Sequence, residues 1–351
     1  MLNRIKSKLV LLYSIITFTI LLGGNNLNAD YFGYLDNYRL SQTDSSHYGF
    51  DFLWNPFMKI GGLLNLTYNE FLICFAFIAY LVLFFFLYKR NDYNIHKIIL
   101  FYTFYSFFID AIQIANFFAN VLAIIALYKA MDYKKCHRIT DLIQFLILTI
   151  CGLGLHSSVS ILIPIIIFSN SFRKIKYVVA ASIIFSIVDT IYSHALLDKL
   201  ISPFPVADVY QHLKNYGAAS KSGFGFLIYL SILLILVGIV RYNNINYILR
   251  IKKGLVPYRV QNLRRCGDVL LFLRFTLVMS PIFAISTIAY VRFYRIIMLY
   301  YGTFYPIIDC NKTRARVISN SLLVLILFYF FQTDVGAENF LDIMNNNIFF
   351  E

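Results

Sequence analysis

The chain has 351 residues, of which 59% are apolar, 18% aromatic and only 14% charged, with a mean hydropathy of +0.67. Soluble globular chains carry about 25% charged residues, so a water-soluble enzyme is excluded. A net charge of +13 would suggest nucleic acid in a soluble protein, but here the cations lie in loops between apolar runs, where they set membrane orientation. The composition is that of an all-α integral membrane protein, a single polytopic domain over residues 1–351 with no sizeable soluble domain and no nucleic-acid partner.

Arg4, Lys6 and Lys8 precede the apolar run Leu9–Leu22, and Leu27-Asn28-Ala29 has the small-residue character of a cleavage site. The run is either a signal peptide or a short retained first helix, and both deliver Asp30 onward to the outer face. Residues 30–70 form the first outer loop, acidic through Asp30, Asp36, Asp44 and Asp51 among tyrosines. Further spans read as Phe71–Tyr88, Ile98–Ile109, Ala111–Tyr128, Leu142–Leu155, Val159–Phe168, Tyr177–Leu197, Gly223–Val240, Val269–Ala289, Phe293–Ile308 and Val317–Phe331. That makes about 11 transmembrane helices (roughly 10–12, because several runs fall short of the ~20 residues of a perpendicular span).

With the N-terminus cytoplasmic, every second loop is the basic one. These loops hold Lys89, Arg90 and Lys97; Lys129, Lys134, Lys135 and Arg138; Arg173, Lys174 and Lys176; and Lys312, Arg314 and Arg316, while the cytoplasmic loop 241–268 is the most basic of all. The outer loop 198–222 has the length of a lid or binding element. The tail Gln332–Glu351 then lies outside. Of the five cysteines, Cys74 and Cys151 sit in apolar runs and Cys136, Cys266 and Cys310 in cytoplasmic loops, so no disulfide or CxxC metal framework follows. No P-loop, GxGxxG, HExxH, EF-hand or tandem repeat occurs, and no cofactor or metal is expected.

Three constellations carry chemistry. In Asp110–Lys129, a helix-like segment apolar enough to cross a bilayer, Asp110, Gln113, Asn116 and Asn120 fall on one wall at about 100° per residue. Such a wall faces protein or water, as interhelical hydrogen bonds or as a polar cavity. In Gly152–Pro164, a polar turn between two short apolar pieces places His156, Ser157 and Ser158 at the outer face. His156 there is a general base, a donor to an anionic group, or a helix cap. Arg292 and Arg295, three residues apart and on the outer side, form a fork suited to phosphate oxygens. Arg274 lies within a span and needs an acid or a watery cavity; Asp189 is a plausible partner.

Asp36-Asn37-Tyr38, Phe50–Ile60, Asp110–Ala119, Leu155–Pro164 and Arg292–Pro306, taken in this order, resemble the EpsG/Wzy-like family of bacterial polysaccharide polymerases. The resemblance implies transfer of a growing glycan from polyprenyl diphosphate onto the next lipid-linked repeat, at the outer (periplasmic) face of the inner membrane. It implies polyprenyl-diphosphate-linked glycans as partners, with a chain-length regulator as a further one. In these terms His156, Asp36 and Asp110 are the catalytic candidates, and Arg292, Arg295, Tyr38, Gln113 and Asn116 the substrate-binding ones. One departure stands out: related sequences commonly read D-x-I-Q-I-R-N-F, and Ala115 occupies the arginine position here. The alternatives are a transporter or flippase of lipid-linked oligosaccharide, and a polyprenyl-phosphate-sugar glycosyltransferase. The product's sugar and linkage are not legible.

Overall fold

The computed structural model describes residues 2–28, 30–43, 52–90, 95–162, 175–191 and 341–350, with parts of 230–254 and 271–280. The regular structure among the described residues is helical, with one isolated bridge, Asn25 to Asn347. They fall into two compact units, one holding residues 1–160 with the C-terminal stretch, the other holding 175–191 and the described residues between 230 and 280.

The first unit contains α1 (Leu2–Gly23), α2 (Tyr31–Thr43), α3 (Trp54–Leu63), α4 (Tyr68–Arg90), α5 (Ile95–Phe101), α6 (Phe107–Ile112), α7 (Ile114–Cys136) and α8 (Ile139–Leu155). The polar segment read as an outer loop therefore contains two helices. Their core anchors are aromatic: Tyr31 and Tyr38 of α2 pack on Tyr68, and Trp54 of α3 on Phe71 and Phe118.

Among the described residues two helices are long and apolar enough to cross a membrane, α4 and α7. On α4 the inner stripe Leu72, Ala76, Ala79, Leu83 and Leu87 is buried, while Ile78, Leu81, Val82 and Phe85 are exposed. An exposed stripe of large apolar side chains suits hydrocarbon and not water. On α8 the division repeats, with Phe145, Thr149 and Gly152 inward and Ile143, Ile147 and Ile150 outward. The α4 helix starts on a capping box: Thr67 N–H and Oγ1 both donate to Glu70 Oε2, at 2.7 and 2.8 Å.

The α7 helix is buried almost all round. Ala115, Ala119 and Ala123, at four-residue spacing, and then Ala126 and Ala130 keep it slim, so neighbouring helices approach closely. Phe18 of α1 joins this core through rings of Tyr80, Phe84, Tyr102 and Phe107.

At the Arg90 end of α4 the charges are paired. Arg90 forks onto Asp132 and lies over the Tyr128 ring, and buried Asp141 receives Lys129 at 3.3 Å and Arg138 at 3.0 Å. These are cations of the loops read as cytoplasmic.

The second unit contains α9 (Ile175–Ile191). Its Ser182 and Ser280 hydroxyls lie 3.1 Å apart, an interhelical contact of the kind that fixes packing in lipid. The outer loop 198–222, Arg292, Arg295 and the spans from Phe293 onward lie outside the described residues, as does the side chain of Asp189.

Candidate functional site

The candidate site lies at the other end of the first unit, where α4 begins. The chain approaches it through α5, a π-helical stretch at Tyr102–Ser106, and α6. It then breaks at Gln113, whose φ of −94° and ψ of 69° leave the helical region before α7 starts. The segment Asp110–Lys129 is therefore not one regular helix. Asp110 belongs to α6 and Asn116 and Asn120 to α7, with Gln113 as the hinge between them, so the single polar wall expected from helical periodicity is divided.

Asp110 is 3% exposed. It hydrogen-bonds to Tyr102, whose hydroxyl lies 3.1 Å from that of Tyr80. This carboxylate sits among the aromatic core and is shielded from bulk water, which makes its neighbours decisive for its charge. Tyr102 gives no local signal in the sequence; a tyrosine in an apolar, aromatic-rich run looks like belt or core.

Beyond the break a continuous polar chain forms. Asn116 Nδ2 donates to Gln113 Oε1 at 3.1 Å, and Ser158 Oγ donates to Asn116 Oδ1 at 2.6 Å. The Ser158 backbone N–H in turn donates to His156 Nδ1 at 3.1 Å. Asn116 is fully buried and His156 half-buried. The structure thus joins Gln113 and Asn116 to His156, which the sequence had placed in a separate constellation. Gly152 helps: a Cβ there would meet Val159 at 3.0 Å, so the turn after α8 folds back closely on it.

The two α2 candidates differ from each other. Asp36 is exposed and 3.7 Å from Arg39 one turn on, a surface pair of small energetic weight. Tyr38 is buried, and its hydroxyl donates to the Leu66 carbonyl at 2.8 Å. Burial, with the negative charge of Glu70 added, raises the Tyr38 hydroxyl above the ordinary phenol range, so it stays a donor. The Tyr38 hydrogen bond thus runs to the connection between α3 and α4, and the Asp36 ion pair stays on α2, rather than extending the Gln113–His156 chain.

Asparagines unmarked by the sequence seal the same end. Asn69 Nδ2 donates to the Gly23 and Asn25 carbonyls at 3.0 and 3.1 Å, and Tyr31 donates to Asn69 at 2.7 Å. Asn28 Nδ2 reaches the Ala111 carbonyl at 3.4 Å, beside Asp110. Among the described residues no group of three His, Cys, Asp or Glu side chains could hold a metal ion.

The family model for the EpsG family matches residues 8–345. No curated protein and no solved structure matches the chain.

Proposed function

This chain belongs to the EpsG family, a membership that with its apolar helices makes it a membrane protein of polysaccharide biosynthesis, and we propose that it polymerises lipid-linked oligosaccharide repeat units. The growing glycan passes from polyprenyl diphosphate onto the next lipid-linked repeat at the outer face of the inner membrane. The observation that carries this reading is the family match over nearly the whole chain; the Gln113–Asn116–Ser158–His156 chain at one helical end supports it by supplying polar groups for a glycan.

The chemistry asks for little more. A sugar hydroxyl attacks the anomeric carbon, the carbon–oxygen bond to the diphosphate breaks with its electron pair, and the hydroxyl proton passes to a base. The leaving group is already activated, so neither ATP nor a nucleotide sugar is consumed. Arg292 and Arg295 hold the diphosphate in this reading, with Tyr38, Gln113 and Asn116 on the glycan; a carboxylate, Asp36 or Asp110, or else His156, takes the proton.

Cells lacking the protein are expected to display surface glycan arrested at a single repeat unit. Unchanged chain length, or complete loss of surface glycan, overturns the polymerase in favour of transport or an earlier glycosyl transfer.

A further inference from the structure

We infer that α3 is an interfacial helix: it lies in the lipid leaflet at the Glu70 end of α4, with one apolar face against phospholipid acyl chains. The inference concerns an interaction surface and stands apart from the polymerase reading.

The sequence of α3, WNPFMKIGGL, divides by side. Trp54, Met58 and Gly61 are buried. Phe52, just before the helix, and Pro56, Ile60 and Leu63 within it are exposed, and at about 100° per residue they share a sector of roughly 80°. Leu63 is 82% exposed, and Leu64 after it is exposed as well. A continuous open stripe of this kind marks a surface made to be covered.

The opposite side of α3 is already occupied by protein. Trp54 packs on Phe71 and Phe118, Gln42 of α2 donates to the Met58 carbonyl at 3.0 Å, and a Cβ on Gly61 would meet the Phe71 ring at 2.7 Å. Turning the stripe inward would break all three contacts.

Depth decides what covers it. The apolar run Phe71–Tyr88 of α4 rises about 27 Å, close to the ~30 Å of bilayer hydrocarbon, and Lys89 and Arg90 follow at its far end. Phe57 of α3 packs on Phe75, one turn inside that run, with ring centroids 5.3 Å apart. The α3 helix therefore lies beside the first apolar turns of α4 and does not stand off in water. The exposed stripe of α4 begins at the same level, with Cys74, Phe77 and Ile78. The short connection Leu64–Thr67 holds the two helices together, its Leu66 N–H returning to the Gly61 carbonyl at 3.0 Å. Lys59, the one charged residue of α3, stands at the edge of its stripe, where a long side chain reaches headgroup phosphates while its stem stays with the acyl chains. An apolar face in hydrocarbon with a cation at its border is the form of a helix that lies in a membrane surface.

Two measurements on the full-length protein, reconstituted in phosphatidylcholine–phosphatidylglycerol bilayers, test this. With a photoreactive diazirine in the phospholipid acyl chain, the wild-type protein is expected to carry label at Ile60 and Leu63 as well as on the α4 stripe. Label on α4 with none on α3 overturns the inference. Trp54 is the only tryptophan of the chain, so Trp54→Phe combined with Ile60→Trp reports from the stripe itself. Phospholipid brominated near the headgroup end of its acyl chains is expected to remove most of this fluorescence, and aqueous acrylamide little of it. Quenching by acrylamide alone puts the stripe in water, and quenching by neither puts it under another segment or a second copy of the chain; both results overturn the inference. Neither measurement reads glycan length, so its failure leaves the polymerase reading where it stands.

Discussion

Ser158 Oγ donates a 2.6 Å hydrogen bond to Asn116 Oδ1, joining the turn after α8 to the first turns of α7 across 42 residues of sequence. The contact connects two constellations that look independent in the sequence. If it organises the site, Asn116→Ala and Ser158→Ala should each shorten the glycan ladder, and the double variant should be little worse than either. In thermal unfolding in detergent their coupling should be about 1 kcal/mol, the scale of interhelical hydrogen bonds in lipid. Fully additive effects would mean the bond does not form in the membrane.

Asp110 and Tyr102 make a second pair, buried behind the break at Gln113. Tyr102→Phe keeps the ring contacts with Phe18, Tyr80 and Phe84 but removes the hydroxyl that lies between Tyr80 and Asp110. It is expected to lower stability by about 1–3 kcal/mol, the cost of an unsatisfied buried polar group. Tyr80→Phe removes only the outer member of the pair of hydroxyls and should cost less. Equal melting temperatures for Tyr102→Phe and the wild type would show that Asp110 does not depend on Tyr102.

Gly154 of α8 pins the residues that lead into α3. The Leu53 N–H donates to the Gly154 carbonyl at 2.6 Å, and a Cβ on Gly154 would lie 2.6 Å from Leu53 Cγ and 2.7 Å from the Phe52 ring. Gly154→Ala should therefore push Phe52 and Leu53 away at a cost of about 1–3 kcal/mol, as overpacking does. Protease sensitivity between α2 and α3 is expected to rise with it; an unchanged cleavage pattern and melting temperature would count against the close approach.

Asn347 caps α1. Its amide donates to the Ile20 and Leu21 carbonyls at 3.2 and 3.3 Å, and Asn26 N–H and Ile348 N–H pair with the Asn346 and Gly24 carbonyls, both at 2.9 Å. The last carbonyls of a helix run short of N–H partners; Ile20 also accepts the Gly24 N–H at 2.9 Å, and this strap supplies a further donor there and one to Leu21. Asn347→Ala is expected to cost about 1–2 kcal/mol, and Asn347→Asp at least as much, since a carboxylate cannot donate. A detergent melting curve that leaves both variants at wild-type stability would refute the capping role.

Ala115, where the family resemblance leads one to expect arginine, is 3% exposed in α7. An arginine there would bring a buried guanidinium into a slim, packed helix. Ala115→Arg is expected to reduce the folded protein in membranes several-fold; full abundance with a longer ladder would show instead that this position opens onto the substrate.

Much of the fold was written in the sequence by itself, because a bilayer leaves few choices. Backbone polar groups cannot stay unpaired in hydrocarbon, so apolar runs such as Phe71–Tyr88 and Leu142–Leu155 become helices, observed as α4 and α8. The Thr67 to Glu70 capping box was equally local, a four-residue signal for the α4 start. Helices α2 and α3, inside the segment read as an outer loop, were less visible, since their support comes from aromatic contacts with Tyr68, Phe71 and Phe118 far along the chain.

The site candidates divide in the same way. His156, Gln113 and Asn116 were legible because polar groups in apolar surroundings are costly and so stand out. Only tertiary structure decided how they relate. Periodicity continued the helix through Gln113, while packing of the π-helical stretch and α6 against α1 and α4 broke it and sent Asp110 into the aromatic core. The link from Asn116 to His156 was likewise out of reach of composition or spacing, because it depends on the turn folding back on Gly152 and on Ser158 reaching Asn116.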